Sequence, residues 1–204
     1  MSDGPRLSRR FFDRPAVAVA RDLLGRCLWV AGPSGRAVGR LVETEAYARG
    51  DPASHAYRGP TRRNRSMFAA PGTLYVYRIH RVACANLVCR RGEAVLLRAA
   101  APVRGAPPLG DARGPGRLCR AFGLTAADDG IDATESPRVG VGRRRAKPRR
   151  IAAGPRIGIS RAVDRPYRFV VVGSPHLSRG VPRRRGGGAR LSGASPSRSR
   201  AGGR

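Results

Sequence analysis

The segment Leu41-Val42-Glu43-Thr44-Glu45-Ala46-Tyr47 constrains the fold of this chain more than any other stretch. Its alternation is that of a strand, where side chains change face with a period of two, so Glu43, Glu45 and Tyr47 point the same way. Two carboxylates side by side on one face repel each other, and the chain has only 13 acidic residues to place. Either they pair structurally with surrounding arginines or they are held together for chemistry. The strand alone leaves both readings open.

The neighbouring segments extend the pattern. Arg26 to Val30 and Ala37 to Tyr47 read as two strands around the turn Gly32-Pro33-Ser34-Gly35. A helical pattern runs from Pro15 to Leu24, with proline in the first turn where its missing N–H is harmless. Thr73 to Tyr77, Glu93 to Ala99, Ile151 to Ile159 and Arg168 to Val172 are further strand candidates, and Arg117 to Phe122 is a short helix. Strands outweigh helices, and no strand–helix alternation implies a doubly wound sheet. The expected fold class is α+β, a single mixed domain with a central curved, mainly antiparallel β-sheet and peripheral helices.

That domain is expected to span residues 1–179. Residues 180–204 are rich in Arg, Gly and Ser and contain no acid and no aromatic, so they cannot bury enough apolar area to offset ordering entropy. They read as a disordered basic tail. The run Arg143-Arg144-Arg145-Ala146-Lys147-Pro148-Arg149-Arg150 reads as a basic surface loop.

Charge indicates the partner. The 41 basic residues outweigh the acids to give a net charge of +28, and Lys147 is the only lysine. Arginine presents a planar fork of donors suited to phosphate, so the surface attracts nucleic acid with an affinity that falls as salt rises. No apolar run approaches the ~20 residues that span a bilayer. Met1-Ser2-Asp3-Gly4-Pro5 lacks a secretory apolar stretch, so an intracellular, soluble location in cytoplasm or nucleoid is expected. Cys27, Cys84, Cys89 and Cys119 form no CxxC pair and lie at no zinc-finger spacing to histidine; small buried thiols are expected, and no metal.

Beyond the Glu43–Tyr47 strand, Asp51-Pro52-Ala53-Ser54-His55 brings a histidine a short loop away. The basic loop Gly59-Pro60-Thr61-Arg62-Arg63-Asn64-Arg65-Ser66-Met67-Phe68 suits phosphate contact. Tyr75 and Tyr77 share one strand face, an arrangement that suits either core packing or stacking on a base.

The ordered series VETEAY, SHAYRGPTRRNRSMF, PGTLYVY, CAN, VLLRA, GPGRLC and AGPRIGIS resembles the alkyladenine (3-methyladenine) DNA glycosylase family, the type without a helix-hairpin-helix. The resemblance runs from about Leu7 to Arg179. It implies a base excision repair enzyme that removes alkylated or deaminated purines from double-stranded DNA, as a monomer and without a cofactor. Glu45 is then the general base that activates water, and Arg98 works beside it. Tyr47, His55 and Tyr77 line the pocket for the flipped purine, and Asn86 crowds the purine 2-position. Arg62, Arg63, Asn64, Arg65 and His80 are expected against DNA. Glu43 receives no catalytic role. A glycosylase that also cuts the strand needs an amine to form a Schiff base. With Lys147 far from the motifs, a monofunctional enzyme is expected.

The chain departs from the family pattern twice. Arg78 to Asn86 is one residue short of the family's turn and lacks its tyrosine-glycine pair, leaving His80 as the expected wedge. The segment 101–114 is short and rich in Pro and Gly, where no helix is expected. These departures keep open a degenerate fold that binds DNA or damaged bases without excision.

Overall fold

The computed structural model describes residues 5–33, 35–142 and 147–182. Ser34 of the first turn, Arg143 to Ala146 of the basic run, and the tail from Arg183 onward lie outside the described residues. Lys147, Arg149 and Arg150 of that run are exposed.

Two helices open the chain, α1 (Arg9–Phe12) and α2 (Ala16–Leu23). α2 follows Pro15 and buries Ala16, Val19, Ala20 and Leu23, the i, i+3, i+4, i+7 stripe of a helix with one apolar face. Its first N–H, on Ala16, donates to Glu93 at 2.8 Å, and the Ala20 carbonyl accepts from Thr44 at 2.9 Å. The helix is thereby fixed against the strand that carries the two glutamates.

Among the described residues the sheet has eight strands: β1 (Cys27–Gly32), β2 (Gly35–Tyr47), β3 (Leu74–Ile79), β4 (Val82–Val88), β5 (Ala94–Pro102), β6 (Val139–Val141), β7 (Ile151–Gly154) and β8 (Arg168–Val171). The main order is β3-β4-β5-β2-β1-β6, with β8 joining β2 and β7 joining β8. Every pairing is antiparallel, and the sheet curls into a half-barrel. The long β2 is shared: its first half pairs with β1 through Arg40, and Glu43 to Glu45 pair with β8. A third helix, α3 (Pro115–Phe122), begins on proline and ends at Gly123 in the left-handed region. The core joins α2, α3 and one sheet face around Phe12, Leu23, Leu28, Leu41, Leu97, Leu118 and Phe169.

Three details depart from the sequence reading. β4 was not expected, because Val82-Ala83-Cys84-Ala85-Asn86-Leu87-Val88 has no turn glycine before it. The structure makes the turn with His80 and Arg81, at φ 45° and 70°, and pairs Ile79 with Val82. Such a two-residue turn usually takes Asn-Gly, since both positions need positive φ. The strand expected over Ile151 to Ile159 stops at Gly154, before Pro155, and Ile157 lies in a loop. Packing continues past 179: the carbonyls of Arg179 and Gly180 accept from Arg168, and Pro182 lies over Gly154.

Gly72 illustrates how tightly the loops seat on this core. Its φ is +93°, and a Cβ there would lie 2.4 Å from Thr134 Cγ2 and 3.3 Å from the Phe12 ring. Gly72→Ala is expected to lower stability by about 1–3 kcal/mol, read as a reduced midpoint in urea unfolding.

Candidate active site

Glu45 is fully buried on β2, yet all of its partners reach a cavity. Tyr47 donates its hydroxyl to Glu45 Oε2 at 3.1 Å, the Ile157 N–H donates to Oε1 at 2.8 Å, and Arg98 Nη1 lies 3.4 Å from Oε1. Tyr47, Arg98 and Ile157 all line a cavity of about 570 Å³, so the buried carboxylate lies behind the wall that these three residues form. Burial pushes the Glu45 pKa above the ordinary carboxylate range, and Arg98, the Ile157 N–H and Tyr47 only partly oppose it.

Arg98 owes its aim to the sheet. The β2–β5 register slips between Leu41 and Glu43 and again between Glu43 and Thr44; Glu43 faces Ala99 and Thr44 faces Leu97, so Arg98 is the extra residue of a bulge. Bulges re-aim side chains beside functional sites. Arg98 Nε donates to Glu43 at 3.0 Å, so one guanidinium bridges both glutamates.

Glu43, which the family resemblance leaves without a role, is the most heavily bonded acid of the site. It also accepts from Arg168 Nε at 2.8 Å and from the backbone N–H and hydroxyl of Ser178 at 2.6 and 2.7 Å. Burial alone would raise its pKa, but hydrogen bonds from Arg168 and Ser178 outweigh it and hold the carboxyl below the usual range. The two glutamates therefore differ: the surroundings of Glu43 favour its charged form, whereas burial of Glu45 disfavours its charge.

Aromatic residues form the upper wall. His55 packs edge-on to Tyr77 with ring centroids 4.5 Å apart, its Nδ1 lies 2.9 Å from the Tyr75 hydroxyl, and the Tyr75 and Tyr77 rings are 5.6 Å apart. Burial lowers the His55 pKa, favouring the neutral ring, and raises that of each tyrosine. Asn86, opposite Tyr75 on β4, donates Nδ2 to the Tyr75 carbonyl at 3.1 Å and also lines the cavity. Cys84 and Met67 complete that side. Among the described residues no group of three or more His, Cys, Asp or Glu is arranged to hold a metal ion, and no helix is long and apolar enough to cross a membrane.

A groove of about 980 Å³ continues from the cavity, sharing His55, Tyr75, Tyr77, Ile79 and Arg161 with it. Arg58, Arg63, Arg78 and Arg161 line it. Of the residues expected against DNA, Arg62, Arg63 and Arg65 are exposed, and His80 sits exposed at the β3–β4 tip. Asn64 also lines the groove but is buried, and its amide donates to the carbonyls of His55 and Gly59 while accepting from Thr61. It ties the start of the basic loop, at Gly59 and Thr61, to the backbone at His55.

Sequence reasoning also missed Ile157, Ser178 and Arg168. Backbone donors leave no side-chain signature. For the arginines, the usable signal was the shortage of acids: each buried carboxylate needs a partner, and a chain this basic supplies arginine.

The fold and site define a protein with an aromatic-walled cleft, backed by a buried carboxylate and opening onto an arginine-lined groove. Residues 10–175 match the family model for methylpurine-DNA glycosylase (MPG), and the chain belongs to that family. It is 42% identical over 182 residues to a protein of Rhizobium johnstonii, covering 84% of this chain and 88% of that one. A Methanoculleus marisnigri protein is 43% identical over 190 residues, covering 85% of this chain and 98% of its own length. A Rhodopseudomonas palustris protein is 42% identical over 194 residues, covering 88% and 91%. All three are named "Putative 3-methyladenine DNA glycosylase".

Proposed function

We propose that the chain is a base excision repair DNA glycosylase that takes an alkylated or deaminated purine, of the 3-methyladenine or hypoxanthine type, into the aromatic cleft. It then hydrolyses the N-glycosidic bond with water activated by Glu45. The observation that carries this reading is the buried carboxylate whose three partners, on Tyr47, Arg98 and Ile157, all line one cavity.

A glycosidic bond inside a duplex is out of reach, so the nucleotide is extruded, at a cost of a few kcal/mol that falls for damaged pairs. Tyr47, Tyr77 and His55 receive the base by stacking, and a neutral His55 does not repel a cationic one. Asn86 crowds a purine 2-amino group. As the bond breaks, positive charge grows on the sugar; ionised Glu45 stabilises it and accepts the water proton, while Arg98 orients carboxylate and water. At the β3–β4 tip, Ile79 is 50% exposed and lines both cavity and groove, so Ile79 with His80 fills the gap left in the stack. Lys147 lines a separate cavity with Arg40 and His176, which favours a monofunctional enzyme leaving an abasic site.

The exposed arginines position the duplex. The Arg62→Ala, Arg63→Ala, Arg65→Ala triple variant is expected to flatten the log–log salt dependence of duplex binding by about 0.9 for each phosphate contact removed, measured by fluorescence anisotropy across salt. The defining test is release of free base from duplexes bearing hypoxanthine, ethenoadenine, 3-methyladenine or 7-methylguanine. Equal release by wild type and Glu45→Gln would leave a fold that binds without Glu45-dependent excision.

A further inference from the structure

Behind Tyr47, on the side away from the cavity, lies an arginine that the reaction just described does not use. Arg156 is buried and is not among the lining residues. Both of its terminal nitrogens donate to Asp51, itself fully buried; Nη2 reaches Oδ1 at 3.0 Å, and Nη1 also donates to the Ala46 carbonyl at 3.0 Å. Its guanidinium carbon lies 4.7 Å from the Tyr47 ring centroid and 5.5 Å from that of Tyr167. Nη2 also reaches the Ala162 carbonyl at 3.5 Å, and Nε has no hydrogen-bond partner among the described residues, so Asp51, two carbonyls and two aromatic faces set its position. The next residue, Ile157, supplies the N–H that caps Glu45.

We infer that Arg156 is a positioning and selectivity residue: locked by Asp51 on the hidden face of Tyr47, it fixes that ring and weakens its hold on positively charged bases relative to neutral ones. The inference rests on the reading that the flipped purine stacks on Tyr47. An aromatic face attracts cations through its quadrupole. A guanidinium on one face occupies that attraction and repels a second cation on the other, with little water between to screen it. Asp51 offsets part of the charge, so removing Asp51 and removing Arg156 act in opposite directions.

The test uses Glu45→Gln protein, in which complexes persist, and measures affinity for duplexes carrying 7-methylguanine, a charged ring, or hypoxanthine, a neutral one, each relative to undamaged duplex. Adding Arg156→Gln is expected to shift the charged-to-neutral affinity ratio towards 7-methylguanine by about threefold to tenfold. Adding Asp51→Asn shifts it towards hypoxanthine. Arg156→Lys keeps the charge and leaves the ratio near its starting value, even where both affinities fall. An equal loss for both lesions in every variant, or a shift in the same direction for Arg156→Gln and Asp51→Asn, overturns the inference. If the starting protein prefers neither lesion over undamaged DNA, the stacking reading fails and takes the inference with it. If lesion preference is present but wild type releases no base, the catalytic reading alone fails.

Discussion

Glu45→Gln is expected to slow single-turnover release of hypoxanthine from duplex DNA by at least about a hundredfold, the lower range for loss of a positioned general base. The substitution keeps the shape, and Gln still offers an oxygen to the Ile157 N–H, so the loss reports on charge and proton acceptance. The pH dependence follows from the same burial. The Glu45 pKa is raised, so its active, ionised form accumulates as pH rises, and wild-type release climbs on its acid side at a higher pH than an exposed glutamate would give. Stability moves the other way. A folded-state pKa above the unfolded value of ~4.3 means that ionising Glu45 costs stability, with the cost appearing above that pH and growing until the folded group ionises. Glu45→Gln therefore melts at a higher temperature than wild type at pH 7, and the difference closes below about pH 4. A variant that is both less active and less stable at pH 7 would count against a strained, functional carboxylate.

Glu43→Ala is expected to be the most damaging single substitution for stability, by about 3–5 kcal/mol. Arg98 and Arg168 are 7% and 5% exposed at their side chains, and both donate to Glu43 Oε1. Truncating the carboxylate leaves two buried guanidinium groups without that acceptor, and it frees the Ser178 hydroxyl and N–H. The sign with pH is opposite to that of Glu45. The Glu43 pKa is lowered, so its contribution is present above the unfolded value of ~4.3 and is lost as pH falls through the folded one. Urea unfolding as a function of pH distinguishes the two: wild type and Glu43→Gln converge in acid, and their gap is widest near neutrality. Excision also falls in Glu43→Gln, since Arg98 loses the partner that aims it.

Much of the frame was legible in the chain because burial writes a period into a sequence. The stripe Ala16, Val19, Ala20, Leu23 marked α2, and the alternation ending in Glu43, Glu45 and Tyr47 marked β2 with its acids on one face. β4 was not legible, because its turn is made by His80 and Arg81, residues that rarely adopt positive φ. Asn64 was read as a surface contact from the basic company it keeps. Its burial follows from a hydrogen-bond demand arising at His55 and Gly59, which local sequence does not display.

The site divides along the same line. The sequence by itself determined which residue types are available: two glutamates on one strand face, a cluster of tyrosines, a single lysine, and arginines in large excess over the acids. Only the tertiary structure decided how each glutamate is held. A bulge at Arg98, a strand edge at Arg168 and a loop end at Ser178 converge on Glu43, whereas Glu45 receives a backbone N–H from Ile157 and a tyrosine hydroxyl. The physical reason is that a carboxylate's proton affinity depends on the donors and the dielectric around it. Apart from the Tyr47 hydroxyl, two positions along β2, those donors come from residues more than 50 positions away in the chain, which no local pattern can bring together.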